Sequence, residues 1–259
     1  VEIDRPKLSD PKYFDMQPDF LKNSLNRVRW HWRWDTPEKY QTNMRAYFRM
    51  LTGMDQVIAR VQKEIKAHGL EKNTIVIYTA DNGFYMGNRG FAGKWSHYEE
   101  SLRVPMIIFD PRAEGSSKGR TFSQLVTNLD LPATMLDLAG VEIPKKYQGE
   151  SLVPFLRGDH PAKWREDFFN EFHSSNKKLA NWRGVHAGRY TYARYYQQQP
   201  IVEMLYDLKS DPDQLINLVS DPKHAKILKQ MRSRVDDYKE QYTRPEIEKL
   251  RWPEKRKLN

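Results

Sequence analysis

A chain of 259 residues is long enough to bury a sizeable core, as one large domain or two small ones. The absence of cysteine excludes disulfides and thiolate metal sites without fixing a compartment. A formal net charge of +9 favours acidic partners such as nucleic acids, sulfated glycans or anionic lipids, although the basic residues are spread along the chain, with one denser cluster at Lys255-Arg256-Lys257. No apolar run approaches the roughly 20 residues that cross a bilayer, so no membrane span is expected. Val1-Glu2-Ile3-Asp4-Arg5 has no apolar stretch behind it, so no signal peptide is read within the chain.

Residues 1 to 34 are expected to be irregular, with Pro6, Pro11 and Pro18 spaced along them. They end in an aromatic-basic run, Arg27-Val28-Arg29-Trp30-His31-Trp32-Arg33-Trp34. Such a run has the stacking groups and charge that hold single-stranded nucleic acid. The preferred reading is that it packs against its own domain or lines a pocket, and no nucleic-acid partner is expected. A strong helix follows over 36 to 68. Asp35 or Thr36 caps it, Pro37 suits its first turn and Glu38 completes a capping box. Tyr40, Met44, Tyr47, Leu51, Met54, Ile58, Val61 and Ile65 alternate steps of four and three, which is one continuous helical face. Gly69 ends it.

Ile75-Val76-Ile77-Tyr78-Thr79 predicts a strand buried on both faces, as in a parallel sheet. Val104 to Phe109 predicts another, and residues 113 to 121 a Gly/Ser/Lys-rich exposed loop. Leu125 to Leu138 reads as mostly helical, with Pro132 near its first turn and Gly140 at its end. Residues 149 to 163 connect to a different texture. From Asp167 to Leu208 aromatic and β-branched residues alternate with polar ones, predicting three or four antiparallel strands. An amphipathic helix is expected over 222 to 242, and the tail beyond Thr243 is polar and basic. Two domains are read, 1–160 and 161–259, with no internal repeat.

The chemistry lies where the first strand ends, at Asp81-Asn82-Gly83. In open α/β sheets ligands bind just outside the carboxyl ends of the strands. A carboxylate and a carboxamide offer hard oxygens, which suit Ca²⁺ or Mg²⁺ better than zinc. Further glycines at 87, 90 and 93 let the following loop fold tightly and return Lys94 towards that metal. A cation beside a hard metal is a place for an oxyanion ester. The bland alternative is a plain turn, since Asn and Gly tolerate positive φ.

The longer pattern weighs against a plain turn. Asp81-Asn82-Gly83-Phe84-Tyr85-Met86-Gly87, Gly93-Lys94-Trp95 and Tyr98-Glu99-Glu100-Ser101-Leu102-Arg103-Val104-Pro105 together resemble the second half of the sulfatase family, within the alkaline-phosphatase superfamily. The resemblance continues through Asn128-Leu129-Asp130-Leu131-Pro132 to Gly140, Gln148-Gly149-Glu150-Ser151-Leu152, Leu205-Tyr206-Asp207-Leu208, Asp211-Pro212 and Asn217-Leu218. It implies an α/β fold: the C-terminal part of an alkaline-phosphatase-like, mainly parallel sheet with flanking helices, plus a small antiparallel sheet and helix subdomain. It further implies hydrolysis of sulfate esters on a sulfated carbohydrate or aryl sulfate. By the same resemblance Asp81 and Asn82 are Ca²⁺ ligands (alternatively Mg²⁺), and Lys94 binds a sulfate oxygen and steadies the leaving oxygen. His97 is a candidate acid whose alternative is a structural role. Glu99, Glu100 and Arg103 read as internal loop-holding residues. A secreted or periplasmic location follows from the family.

Sulfatases use a formylglycine made from Cys or Ser in a Cys/Ser-x-Pro/Ala-x-Arg motif, which this chain lacks. The chain is therefore expected to be the C-terminal portion, with the formylglycine in a missing N-terminal half that is also its partner. Alone it is expected to be inactive and prone to associate. Two rivals remain open. Phosphodiesterases and phosphonate hydrolases of the superfamily usually carry Asp-His-Gly where Asp81-Asn82-Gly83 stands, and a histidine in the next loop, where this chain reads Gly87-Asn88-Arg89-Gly90. That difference favours one hard metal and sulfate, and makes Arg89 a candidate contact to an anionic substrate. The other rival is a non-catalytic basic module that binds glycans.

Overall fold

The computed structural model describes residues 1–113 and 119–242. The expected loop over 113–121 therefore lies mostly outside the described residues, and the basic tail beyond Thr243 wholly so. The chain divides into two compact units, Val1–Glu166 with Ser174–Ala180, and Asp167–His173 with Asn181 onward.

In the first unit the opening 34 residues are not irregular. They form three short helices, α1 (Pro11–Asp15), α2 (Asp19–Lys22) and α3 (Leu25–Arg33). The prolines start helices rather than break them, because a helix's first turn needs no N–H donor. Pro11 opens α1, where the Asp10 carboxylate accepts from Lys12 N at 2.9 Å, and Pro18 caps α2. The aromatic-basic run forms most of α3, and it packs against its own unit as expected. Trp34, at its end, is buried with Tyr40, Met44 and Ala92, and Trp30 lies against that cluster.

Helix α4 (Pro37–Ala67) begins as its sequence predicts, with Thr36 Oγ1 accepting from Lys39 N at 3.2 Å. It ends as predicted too: Gly69 takes φ +67° and Leu70 N donates to Ile65 O at 2.9 Å. Of its apolar face only Tyr40 and Met44 are buried, while Met54 and Val61 are 42% and 53% exposed.

Strand β1 (Val76–Thr79) is followed by a small hairpin, β2 (Tyr85–Met86) with β3 (Ala92–Gly93), then α5 (Glu99–Leu102) and β4 (Met106–Phe109). β1 pairs with β4 antiparallel, from Val76 opposite Phe109 to Thr79 opposite Met106. This corrects two expectations for the pair, a parallel arrangement and burial on both faces. Ile107 and Phe109 are 59% and 53% exposed. Among the described residues the pair bonds to no third strand, so alternate side chains project where no layer covers them.

Helix α6 (Asp130–Leu138) starts five residues later than its composition suggests. Asp130, 0% exposed, turns its carboxylate back to accept from Thr127 N at 2.7 Å and Glu150 N at 2.8 Å, and both its oxygens accept from Arg165 at 2.5 Å. The chain at Gly149 runs so close to α6 that an added Cβ would lie 1.8 Å from Leu129 O. Helix α7 (Val153–Leu156) follows.

The second unit is a four-stranded antiparallel sheet, β5 (Phe168–Phe172), β6 (Trp182–Ala187), β7 (Tyr190–Tyr195) and β8 (Val202–Asp207), paired in chain order. Helix α8 (Ala225–Tyr242) lays Leu228, Met231 and Val235 on Val185, Tyr192 and Leu205 of the sheet. Among the described residues no helix is long and apolar enough to cross a membrane.

A candidate anion site where the first strand ends

β1 runs directly into Ala80-Asp81-Asn82-Gly83, and this turn is fixed from two sides. Gly83 N donates to Ser101 O at 3.0 Å, and Asn128 Nδ2 donates to Ala80 O at 3.0 Å. At Gly83 a Cβ would lie 2.3 Å from Glu100 O, so the backbone of α5 leaves room for glycine alone. Asp81 is thereby left exposed at the tip and Asn82 half-buried. Asn82 Nδ2 donates to Gly83 O at 2.7 Å, which turns its amide oxygen outward. That oxygen accepts from Lys94 Nζ at 2.7 Å.

The loop returns Lys94 through the β2–β3 hairpin, with Tyr85 opposite Gly93. Between the strands, Gly87, Arg89 and Gly90 all take positive φ, which produces the tight reversal read from the glycine spacing. The loop is held from beneath. Tyr85 and Ser96 share a buried hydroxyl hydrogen bond of 2.5 Å, Tyr98 donates to Gln17 Oε1 at 2.8 Å, and Arg27 Nη1 donates to Gly90 O at 3.1 Å.

Two of the candidate residues are buried in this loop. Arg89, a candidate substrate contact, is 1% exposed; its Nε donates to Glu100 at 3.0 Å and its guanidinium lies 4.0 Å over the Tyr98 ring. Burial works against its charge, yet Glu100, with Tyr98 and Tyr85, holds its pKa above the usual arginine range. It ties the loop to α5, the role expected of Glu100. His97, a candidate acid, is 4% exposed and lies 4.1 Å from the Tyr98 ring. Burial, assisted by the charge of Arg89, pushes its pKa down to about 3. A neutral, buried imidazole has no proton to give a leaving oxygen at neutral pH, so its structural alternative fits this site.

Asn128 and Asp130 were given no role from the sequence, although both stand in a matching motif. Asn128 clamps the carbonyl beside Asp81, and Asp130 holds the segment that carries Asn128. Their signal was a polar pair in a helix-start position, which is also the signature of an ordinary cap.

The donor chemistry at Asp81 and Asn82 fits part of a hard-cation site. Both side chains offer oxygen, as Ca²⁺ and Mg²⁺ require, but Mg²⁺ takes six ligands and Ca²⁺ six to eight. Among the described residues no group of three or more His, Cys, Asp or Glu side chains is placed to hold a metal. The turn offers two oxygen donors, fewer than either ion takes.

Two side-chain oxygens at a strand's carboxyl end, with a lysine hydrogen-bonded to one of them, are the arrangement of an α/β protein with a polar site at its sheet edge. The comparisons make the class specific. A family model described as Sulfatase matches residues 9–141, and one described as N-sulphoglucosamine sulphohydrolase, C-terminal, matches residues 87–241. The chain belongs to the sulfatase family. It is 33% identical over 208 residues to the N-acetylglucosamine-6-O-sulfatase of Bacteroides thetaiotaomicron, an alignment covering 79% of this chain and 37% of that protein. Among solved structures it resembles a 2-O GAG sulfatase with TM-score 0.81 and 28% identity, covering 97% of this chain and 54% of that one. The phosphonate monoester hydrolase of Agrobacterium radiobacter gives TM-score 0.69 and 25% identity, covering 80% and 43%. The fold is thus the sulfatases' alkaline-phosphatase-like α/β fold, and the chain spans roughly two-fifths to half the length of these relatives.

Proposed function

We propose that this chain is the C-terminal part of a hydrolase of sulfate esters, acting on a sulfated carbohydrate. The observation that carries this reading is the Lys94 ammonium set 2.7 Å from the amide oxygen of Asn82 at the end of β1. Asp81 and Asn82 would hold the metal, Ca²⁺ or alternatively Mg²⁺, whose chemistry is to neutralise charge on the sulfate oxygens. Lys94 binds a sulfate oxygen and stabilises the charge that builds on the leaving oxygen. The nucleophile, a formylglycine, belongs to an N-terminal portion that also completes the metal's ligands and covers the exposed faces of α4 and the β1–β4 pair. Residues 1–160 are then the second half of the catalytic domain and 161–259 its small C-terminal subdomain. A secreted or periplasmic location accords with the family and with polyanionic glycans as substrates.

Phosphonate or phosphodiester hydrolysis is the second reading, and the likeness to the phosphonate monoester hydrolase keeps it in view. Asn82 stands where the two-metal members carry histidine, and Gly87-Asn88-Arg89-Gly90 has no imidazole, which favours one hard metal and sulfate. The test is Lys94→Ala in the full-length enzyme, assayed with an aryl sulfate and with phenyl phosphonate. Turnover of the sulfate should fall roughly 10²- to 10³-fold, the usual worth of one charge-stabilising donor. Unchanged sulfate turnover, or wild-type preference for the phosphonate, would reject the proposal.

A further inference from the structure

The loop before α6 is fastened from several sides. Asp130 N donates to Thr127 O at 3.0 Å and Thr127 N donates to Asp130 Oδ2 at 2.7 Å, so the turn from 127 to 130 is closed twice. Arg165 sets both arms of its guanidinium on the same carboxylate, at 2.5 Å each, and its Nη1 stands 3.4 Å from Thr127 Oγ1. Glu150 N donates to Asp130 Oδ1, and Thr134 Oγ1 donates to Asp130 O at 2.7 Å. Asn128 and Leu129, the two central residues of this turn, stay at the surface.

An asparagine ahead of a helix ordinarily caps it. Asn128 does not, since α6 starts without a side-chain cap. Its amide reaches back 48 residues, where Nδ2 donates to Ala80 O at 3.0 Å and stands 3.5 Å from Asp81 O. Gly83 is held by Ser101 O and Asn82 by Lys94. Asp81 is exposed at the tip, so the place of its carboxylate follows its backbone. Asn128 touches the peptide on either side of that residue. A single exposed hydrogen bond contributes little to the stability of a fold, because water readily replaces either partner. So firm a mounting for an exposed amide is accounted for by what the amide holds in place.

We propose that Asn128 is a positioning residue: mounted on the Arg165–Asp130 pair, it fixes the two peptides that flank Asp81, so that the carboxylate is already placed for a hard cation. This rests on the sulfatase reading and adds to it the residues that keep its cation ligand in place. The physical gain is pre-organisation. A loose turn gives up backbone freedom when it takes a cation, and a turn already held gives up less. The benefit therefore falls on metal affinity and not on ester cleavage itself, and excess metal makes good its loss. Arg165 acts on the cation only through Asp130 and Asn128, so its effect vanishes when the Asn128 amide is gone.

The experiment uses full-length enzyme stripped of metal and titrated by calorimetry with Ca²⁺ and, separately, Mg²⁺. Asn128→Ala shortens the side chain, and Asn128→Leu keeps its shape without the donors. Both should raise the Kd of the cation roughly 10-fold, the lower end for losing a residue that steadies a metal's ligands without touching the metal. The Tm of the metal-free enzyme should stay within about 1 °C, as for an ordinary surface substitution. With p-nitrophenyl sulfate, kcat should return to within about twofold of wild type once the cation saturates. Arg165→Lys, which loses the two-armed grip, should raise the Kd by itself and add nothing in the Asn128→Ala enzyme. An unchanged Kd in both Asn128 variants would overturn the proposal. So would a kcat deficit that saturating metal does not repair, because Asn128 would then meet the substrate. A metal-free Tm lowered by several degrees would return the amide to a purely structural role, and additive losses from Arg165→Lys and Asn128→Ala would break the chain between them. Failure of the sulfatase reading has a separate signature: wild-type enzyme would bind neither cation, or bind one and cleave no sulfate ester, and this inference would fall with it.

Discussion

The two units of this chain solve the same problem differently. In the second, four strands and one helix enclose their own apolar residues: Val185 and Leu205 are 1% and 0% exposed beneath α8. In the first, a comparably apolar strand pair stays open, with Ile107 and Phe109 more than half exposed, and much of the apolar face of α4 meets solvent. Several large apolar side chains left uncovered on one element mark a contact that the unit does not make within itself. Apolar sequence therefore specifies a face to be covered, while the covering layer has to be found elsewhere. The contrast is local, however, because the loop around Arg89, His97 and Tyr98 in the first unit is fully buried.

The largest effect should come from breaking the closed side of that contrast. Leu205→Ala removes a β8 side chain that is 0% exposed and packed with Val185 and Tyr192 beneath α8. It should lower the stability of the second unit by about 2–5 kcal/mol, the range for a leucine truncated in a tight core. Urea unfolding followed by tyrosine fluorescence would measure it. A loss well under 1 kcal/mol would mean that this sheet is as loosely covered as the other.

The same contrast explains which parts of the molecule were legible in its sequence. The second unit was legible because alternation with period two between turns is a local signal, and its sheet pairs neighbour with neighbour. Asn82 and Lys94 were legible as a pair because glycine spacing dictates where a loop can reverse. Arg89 was not, because a sequence gives a charge but not its partner, and Glu100 arrives only when α5 folds. His97 was not, because a lone histidine carries no mark of burial. The direction of the β1–β4 pairing was hidden by a connection that contains its own hairpin. The helices before Thr36 were missed because prolines at first turns look the same in sequence as prolines that break a helix.

His97 offers an intermediate effect that sharpens the comparison within the first unit. Its pKa in the folded chain is about 3, below the ordinary value of 6.5. The unfolded chain therefore binds the extra proton between those limits. Stability is fully present above about pH 6.5 and is lost as pH falls toward 3, by up to about 1.4 kcal/mol per pH unit. From pH 7 to pH 5 the first unit should lose about 2 kcal/mol from this group alone, read as a shift of its urea midpoint. His97→Gln should flatten that part of the profile. An unchanged slope would show that the imidazole reaches water in solution, and that the loop is as open as the strand pair.

The smallest effect tests the open side itself. Val61 lies on the apolar face of α4 and is 53% exposed. In this chain alone Val61→Ala removes few contacts and improves helix propensity, so stability should change by less than about 0.5 kcal/mol, with the sign favourable if it moves at all. In the full-length protein the same substitution should cost about 1 kcal/mol or more, because the proposed N-terminal portion would bury the methyl groups that the change deletes. The informative quantity is the difference between the two contexts, since helix propensity is common to both and cancels. Equal, near-zero changes would mean that α4 keeps this face in solvent and that the N-terminal portion docks elsewhere. Equal and large losses would mean that the isolated chain already covers the face, as a self-associated species would, and a concentration-dependent unfolding midpoint would identify that case.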